Sequence, residues 1–415
     1  MTFPEPLPES APPPASHALI EIELPPEHRE LVARTAELAR ERFVPRADRY
    51  DRAAEFPRDD FDDLFAAGLL APTVPRAHGG LGVGPLHGAA FALWMMTKEI
   101  AKADLALARC WEGHANSLVL LDGIAGPAQR ERWFAGVVER GEVWAAWSGE
   151  PPAAKPGEGR FGTSVERVAG GYLVRGSKVF ATSSTGADWA ILLCNTAGPG
   201  GARHATASPE SLLLLACRLA DPTVSVDGSW WDPIGMRATA SHLVRFDSTF
   251  VPDDQVIGAP GRYLAEGWQT RFIPHYAASF LGAAEAALGI ALEQVAARDR
   301  GADPYVQHRT AKMSIDVDTA HLWLLHVARL WEEGRADEAA IAGSRARWLI
   351  EHLAEDTVHH AIRVCGARSL NRPSPLERIL RDLTFYLRHD SDDQILATVG
   401  RSLLGLTHDA SFYKP

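Results

Sequence analysis

Only four of the 415 residues are cysteine, and Cys110, Cys194, Cys217 and Cys365 form no CxxC pair. That scatter argues against a disulfide frame or a thiolate zinc site and fits reduced thiols in a cytoplasmic protein. Basic charge is also in deficit: 42 Lys and Arg against 53 Asp and Glu leave a formal net charge of -11. Without a basic stripe to offset it, this balance excludes a nucleic-acid partner. Local arginines still permit an anionic substrate. No uninterrupted apolar run approaches the roughly 18 to 20 residues of a membrane span. GxSxG, P-loop, DxDxDG and HExxH patterns are missing too. GLGVG at 80–84 does not match GxGxxG and sits between helical patterns, so a Rossmann site is excluded. His359-His360, with Asp356 nearby, lacks further ligands at compatible spacing, and no metal is expected.

What is present is an ordinary globular mixture, 46% hydrophobic and 23% charged, long enough for more than one domain. Residues 1–25, MTFPEPLPESAPPPASHALIEIELP, are acidic and proline-rich, and read as a disordered tail rather than a secretory signal. From 26 to 141 apolar residues recur at three- and four-residue spacing, which predicts a helical domain. From 142 to 262 the chain is rich in Val, Thr, Trp and Phe, with frequent turn signals, which predicts a β-sandwich or small barrel. From 263 to 415 three long helical patterns return, each of bundle length. The expected fold is mainly α with a central β-domain.

Several stretches present chemistry at element ends. WAAWSGEP (144–151) ends a strand in hydroxyl and backbone donors, suited to a cofactor edge or merely to a turn over a buried tryptophan. GGYLVRGSKVFATSS (170–184) places Phe180 two residues before Thr182: a ring to stack on a planar group and a hydroxyl for its edge, or a half-buried strand. Arg237 and Ser241 read as structural. ARDRGADPYVQHR (297–309) closes a helix with cations, which the helix dipole or a phosphate would equally favour. His389-Asp390 in RDLTFYLRHDSDDQ is either a proton-handling pair at a pocket or a helix cap with a solvated neighbour.

Taken in order, RAHGGLGVG, KEIAKADLALA, WAAWSGEP, GGYLVRGSKVFATSS, IGMRATASH, FDSTFVPDD and VCGARSLNRPSPLERILRD resemble the acyl-CoA dehydrogenase superfamily of flavoproteins, from about residue 28 to 408. The resemblance implies an N-terminal helical domain, a middle β-domain and a C-terminal four-helix bundle, with FAD between the last two. It also implies a homodimer or homotetramer. Trp147, Ser148 and Gly149 fall on the flavin-contacting strand end, and Phe180, Thr182 and Ser183 on the aromatic and hydroxyl beside the ring. Arg298 and His308 fall on the segment that meets the FAD diphosphate, Gly366 on the adenosine cradle, and Gln394 on a further cofactor contact. Three departures stand out. Gly366-Ala367-Arg368-Ser369 replaces GGxG, Gly301 replaces an aromatic, and PAAKPGEGR replaces the serine-bearing loop that faces CoA.

In most of the family's dehydrogenases the loop after the Arg-Asp pair reads Tyr-Glu-Gly, the glutamate being the base. Counting from Arg381-Asp382, Asp390 falls on the glutamate and His389 on the tyrosine. The first expectation is therefore α,β-dehydrogenation of an acyl thioester, hydride passing to flavin N5 and on to an electron-transfer partner. Related monooxygenases, fed reduced flavin by a reductase, react through a C4a-hydroperoxide and carry His-Asp in this loop; that is the alternative, with Ser148 or Ser183 as donors near N5. A non-catalytic flavin-binding scaffold is the third. Arg271, at the start of the first bundle helix, is a candidate for the substrate mouth.

Overall fold

The computed structural model describes residues 22–151, 163–196, 212–389 and 391–409. Most of the N-terminal tail, the PAAKPGEGR segment and Asp390 lie outside the described residues. Six helices come first: α1 (Pro26–Leu38), α2 (Val44–Ala53), α3 (Arg58–Ala66), α4 (Ala90–Ala103), α5 (Leu105–Ile124) and α6 (Pro127–Arg140). Helix α4 is buried nearly all round, as a helix apolar on every face must be. Asp104 begins α5 by accepting from the amides of Ala106 (2.8 Å) and Leu107 (3.3 Å), donors that would otherwise be orphaned in the core.

Eight strands follow: β1 (Trp144–Trp147), β2 (Ser164–Val168), β3 (Gly171–Ala181), β4 (Trp189–Thr196), β5 (Leu212–Arg218), β6 (Val224–Asp227), β7 (His242–Pro252) and β8 (Val256–Ile257). They form one sheet in the order β6-β7-β3-β2-β4-β5-β8, with β1 parallel to β4. Its core alternates along each strand. Ala190, Leu192 and Cys194 of β4 pack with Trp147, Val174 and Val244 inside the sheet domain. Ile191 and Leu193 face the opposite way, into the helical core. Both faces are thus covered, which is why this strand reads as an unbroken apolar run.

The chain then returns to helix: α7 (Arg262–Ala265), α8 (Ile273–Ala297), α9 (Pro304–Glu332), α10 (Ala336–Cys365), α11 (Pro375–Tyr386) and α12 (Asp392–Leu403). Asp303 caps α9 through the amides of Tyr305 and Val306, and Pro304 supplies the preset first-turn φ. Helix α11 runs twelve residues and ends at Tyr386, directly before the loop that carries His389. The stretch Trp268–Ala297 is long and apolar enough to cross a bilayer. It lies instead inside the bundle, with Glu285 of α8 paired to Lys98 of α4 and His321 of α9.

Helix, sheet and helix meet at Arg381. Its guanidinium binds both oxygens of Asp51 (3.1 and 2.7 Å), Glu377 (2.7 Å) and the carbonyl of Ile234 (2.9 Å). Beside it the Asp382 carboxylate accepts from the Met236 amide at 2.5 Å. Gly235 lies so close that an added Cβ would sit 2.1 Å from the Arg381 carbonyl oxygen. Gly235→Ala is therefore expected to push α11 off the sheet domain and cost about 3 kcal/mol, read as a lower urea midpoint.

Candidate active site

Two groups of residues stand out, one at the end of β1 and β3, the other where α5, α8 and α11 converge. The first begins with a bulge. Lys178 pairs with Val244 but Ala181 with His242, so β3 spends one residue more than β7 between those pairs. The surplus puts Phe180 at φ +52° and turns its ring outward, 57% exposed, edge-on to Trp230 at 4.9 Å between centroids. Ser183 (φ +66°), Met236 (φ +57°) and Ala240 (φ +44°) are also left-handed nearby. Four such non-glycine residues together cost of order 1–3 kcal/mol each, the kind of strain that collects where a surface is shaped for a ligand.

The strained loops converge on Thr182. The Trp147 indole is buried and donates to the Thr182 carbonyl (2.9 Å), while the Ser241 hydroxyl donates to Thr182 Oγ1 (3.1 Å) and meets Thr239 Oγ1 at 2.7 Å. Thr182 Oγ1 thus accepts from inside and keeps its own proton for the outer side. Ser148 is exposed just past the end of β1, and Gly149 lets the strands close: a Cβ there would lie 2.6 Å from the Val179 carbonyl. Trp147 therefore props Thr182 from within the core. Ser183 is buried as well, its amide bound to the Thr239 carbonyl at 2.9 Å, so Ser148 rather than Ser183 offers a hydroxyl outward. An exposed ring, a presented threonine hydroxyl and a serine on one rim fit the face and edge of a flat heteroaromatic such as a flavin.

At the far end of the bundle Arg298 ends α8 and Gly366 ends α10, close enough that the Arg298 charge acts on the buried Cys365 thiol. Arg300 fixes that approach by donating to the Val364 carbonyl at 3.2 Å. Gly366 has φ +75°, a conformation that suits glycine there. His308 is exposed on the first turns of α9, and Gln394 lies in the first turn of α12. Arg271 is committed elsewhere. Its guanidinium is held between the Trp268 and Trp331 rings at 4.6 and 5.2 Å and donates to the Glu266 carbonyl.

The second group surrounds His389, which ends a 3₁₀ turn (Leu387–His389) after α11. Its imidazole packs edge-on against Tyr276 of α8 and Tyr386 of α11, with ring centroids 5.0 and 6.0 Å apart. The Arg109 guanidinium lies against the same two tyrosines, at 5.8 and 5.9 Å. Beneath them Glu112, fully buried, accepts from the Tyr386 hydroxyl, from Arg109 Nη1 (3.1 Å) and from Asn116 Nδ2 (3.2 Å). The chain continues from Asn116 Oδ1 to His275 Nδ1 (2.8 Å) and from His275 Nε2 to Thr97 Oγ1 (2.6 Å). Burial beside Glu112 drives the Tyr386 phenol well above its ordinary range, so it stays protonated as a donor. Sequence reasoning missed this wall. The signal was there: Arg109, Glu112 and Asn116 fall at i, i+3 and i+7 on a mostly apolar helix.

Burial pushes the imidazole of His275 down to about 3 and that of His114 down to about 4. Both are neutral when folded, and unfolding lets them take up a proton. Their contribution is complete above pH 6.5 and is lost as pH falls toward 4 and 3. Each is expected to contribute about 2 kcal/mol less at pH 5 than at pH 7.5. Urea midpoints at the two pH values test this, and His275→Asn should show the shallower loss. That comparison separates the histidines from Asp60 and Asp382, which burial raises to about 7 and which act in the opposite sense over pH 4–7.

The hydroxyl-bearing rim thus lies on a central sheet between two helical regions, a helix–sheet–helix architecture. Residues 25–141 match the family described as acyl-CoA dehydrogenase, N-terminal domain, and residues 275–393 the acyl-CoA dehydrogenase, C-terminal domain. The chain belongs to the acyl-CoA dehydrogenase superfamily of flavoproteins. It is 25% identical over 370 residues to a putative acyl-CoA dehydrogenase, YdbM, of Bacillus subtilis, covering 85% of this chain and 91% of that one. It is 26% identical over 391 residues to the dibenzothiophene monooxygenase of Mycolicibacterium goodii, covering 85% and 89%. Its fold is that of TdsC from Paenibacillus sp. A11-2, solved with FMN and indole, at TM-score 0.82 and 22% identity over 93% of this chain and all of that one. Its relatives thus include both dehydrogenases and monooxygenases.

Proposed function

We propose that this chain is a flavin-dependent monooxygenase of the two-component kind. A partner reductase supplies reduced flavin; one atom of O2 enters a small organic substrate and the other leaves as water. The observation that carries the reading is the His389 imidazole seated on Tyr276 and Tyr386, in the loop where the family's dehydrogenases read Tyr-Glu-Gly. When bound and reduced, the flavin supplies the two electrons that divide O2. The chain's own residues hold and shield. Thr182 and Ser148 offer hydroxyls to the ring edge, and Phe180 covers part of it. His389 offers an imidazole N–H to the reacting centre, and the Tyr276 and Tyr386 rings seat it.

The sequence alone put dehydrogenation first; the aromatic seat of His389 supports the monooxygenase alternative instead. Glu112 and the Tyr386 hydroxyl are buried and, with Arg109, satisfy one another beneath the rings, so what this wall offers a substrate is aromatic surface. A compact aromatic substrate would gain ring-to-ring contact on such a surface that an aliphatic acyl chain would not. The dibenzothiophene and indole named for two relatives are of this kind.

The test has two arms on the flavin-loaded protein. Anaerobic titration with acyl-CoA thioesters of graded length is expected to leave the flavin's visible absorbance unchanged. Reduced flavin mixed with aerated buffer and small aromatic heterocycles is expected to yield oxygenated product. Bleaching by any thioester would overturn the proposal in favour of a dehydrogenase.

A further inference from the structure

We infer that the buried ion pair Arg347–Glu351 on α10 is the clamp that holds the His389 loop in place, making both residues positioning residues for the chemistry there. The inference rests on the reading of His389 given above. Arg347 and Glu351 stand one turn apart, 0% and 1% exposed, with Arg347 Nη1 donating to Glu351 Oε2. Such a pair is weak evidence for stability, because well-packed apolar side chains of similar volume usually serve the fold as well. What sets this pair apart is what it reaches.

Arg347 Nη2 is 3.5 Å from the carbonyl of Leu387, the first residue of the turn that ends in His389. The same guanidinium lies over the Phe280 ring at 4.8 Å, and Phe280 meets Tyr386 edge-on at 5.1 Å. On the other side Glu351 Oε1 faces Arg388 Nη2 at 3.6 Å, and Arg388 Nη1 reaches Asp392 of α12 at 4.0 Å. One pair on α10 therefore touches, directly or through one ring or cation, residues 386, 387, 388 and 392. These flank His389 on both sides. His389 itself is exposed and packs edge-on against Tyr276 and Tyr386, and a shift of the turn that carries it would carry the imidazole with it.

The test is Arg347→Met with Glu351→Leu in the full-length, flavin-loaded protein. Apolar replacement of both partners should leave the fold standing, so the thermal midpoint should stay near wild type. The loop should loosen. Arg388 is exposed, and trypsin cleavage after it reports local opening, with an expected acceleration of about tenfold or more relative to other sites. The share of reduced flavin that ends as oxygenated product should fall several-fold, with flavin affinity unchanged. Unchanged cleavage after Arg388 in a folded variant would overturn the clamp, even if activity fell. If the double variant does not fold, Glu351→Gln keeps the volume and weakens both ionic links; it should accelerate the same cleavage about threefold, and no acceleration overturns the proposal. Faster cleavage in the clamp variant alongside full activity of His389→Ala would leave the clamp standing and remove the oxygenation reading instead.

Discussion

His389→Ala is expected to lower product formation by about 10²–10⁴-fold while reduced flavin continues to be consumed, the range seen when a positioned acid–base group is removed. The side chain sits at an exposed position on a short turn, so its truncation leaves the hydrophobic core intact. What it removes is the imidazole N–H beside Tyr276 and Tyr386. Electrons delivered by the flavin should then emerge as hydrogen peroxide rather than as oxygenated substrate. The measurement is product and peroxide per reduced flavin, with His389→Gln as the partner variant that keeps a donor without a titratable ring. Unchanged product yield in both variants would remove His389 from the chemistry.

Arg381→Met should cost about 3–5 kcal/mol, the range for breaking a buried ion pair by deleting one partner. Asp51 is 3% exposed and has both carboxylate oxygens on this guanidinium. Methionine fills much of the volume but leaves that carboxylate desolvated beside Glu377 and frees the Ile234 carbonyl. Because Arg381 joins α2, α11 and the loop before β7, the loss should fall on docking of the three regions rather than on one of them. A urea midpoint lowered at pH 7.5, with helix content at zero urea unchanged, is the expected result. A midpoint unmoved would show that Asp51 finds another partner.

The histidine at 389 was legible before any coordinates, because its place in the loop after Arg381-Asp382 is a matter of counting. So was the succession of helix, sheet and helix, since each element buries one face or stripe and periodicity records it. Thr182 and Phe180 were legible as a hydroxyl and a ring two apart, but not the bulge that turns the ring outward. A bulge depends on the register with β7, some sixty residues away. Trp147 and Ser183 show the limit of local reading. Both lie at the right strand ends, yet one faces the core and the other is held by a neighbouring loop's carbonyl.

The tertiary structure alone decided what surrounds His389. Arg109 and Glu112 come from α5, Tyr276 from α8, Tyr386 from α11 and Arg347 from α10. Nothing local ties positions 109, 276, 347 and 389 to one another. The sequence by itself determined which segments are helix or strand and which loop carries the imidazole, because those follow from short-range spacing of apolar and polar residues. Only packing decided that the wall beneath the imidazole is polar. Buried polar groups must find partners, and here the partners lie on helices distant in the chain.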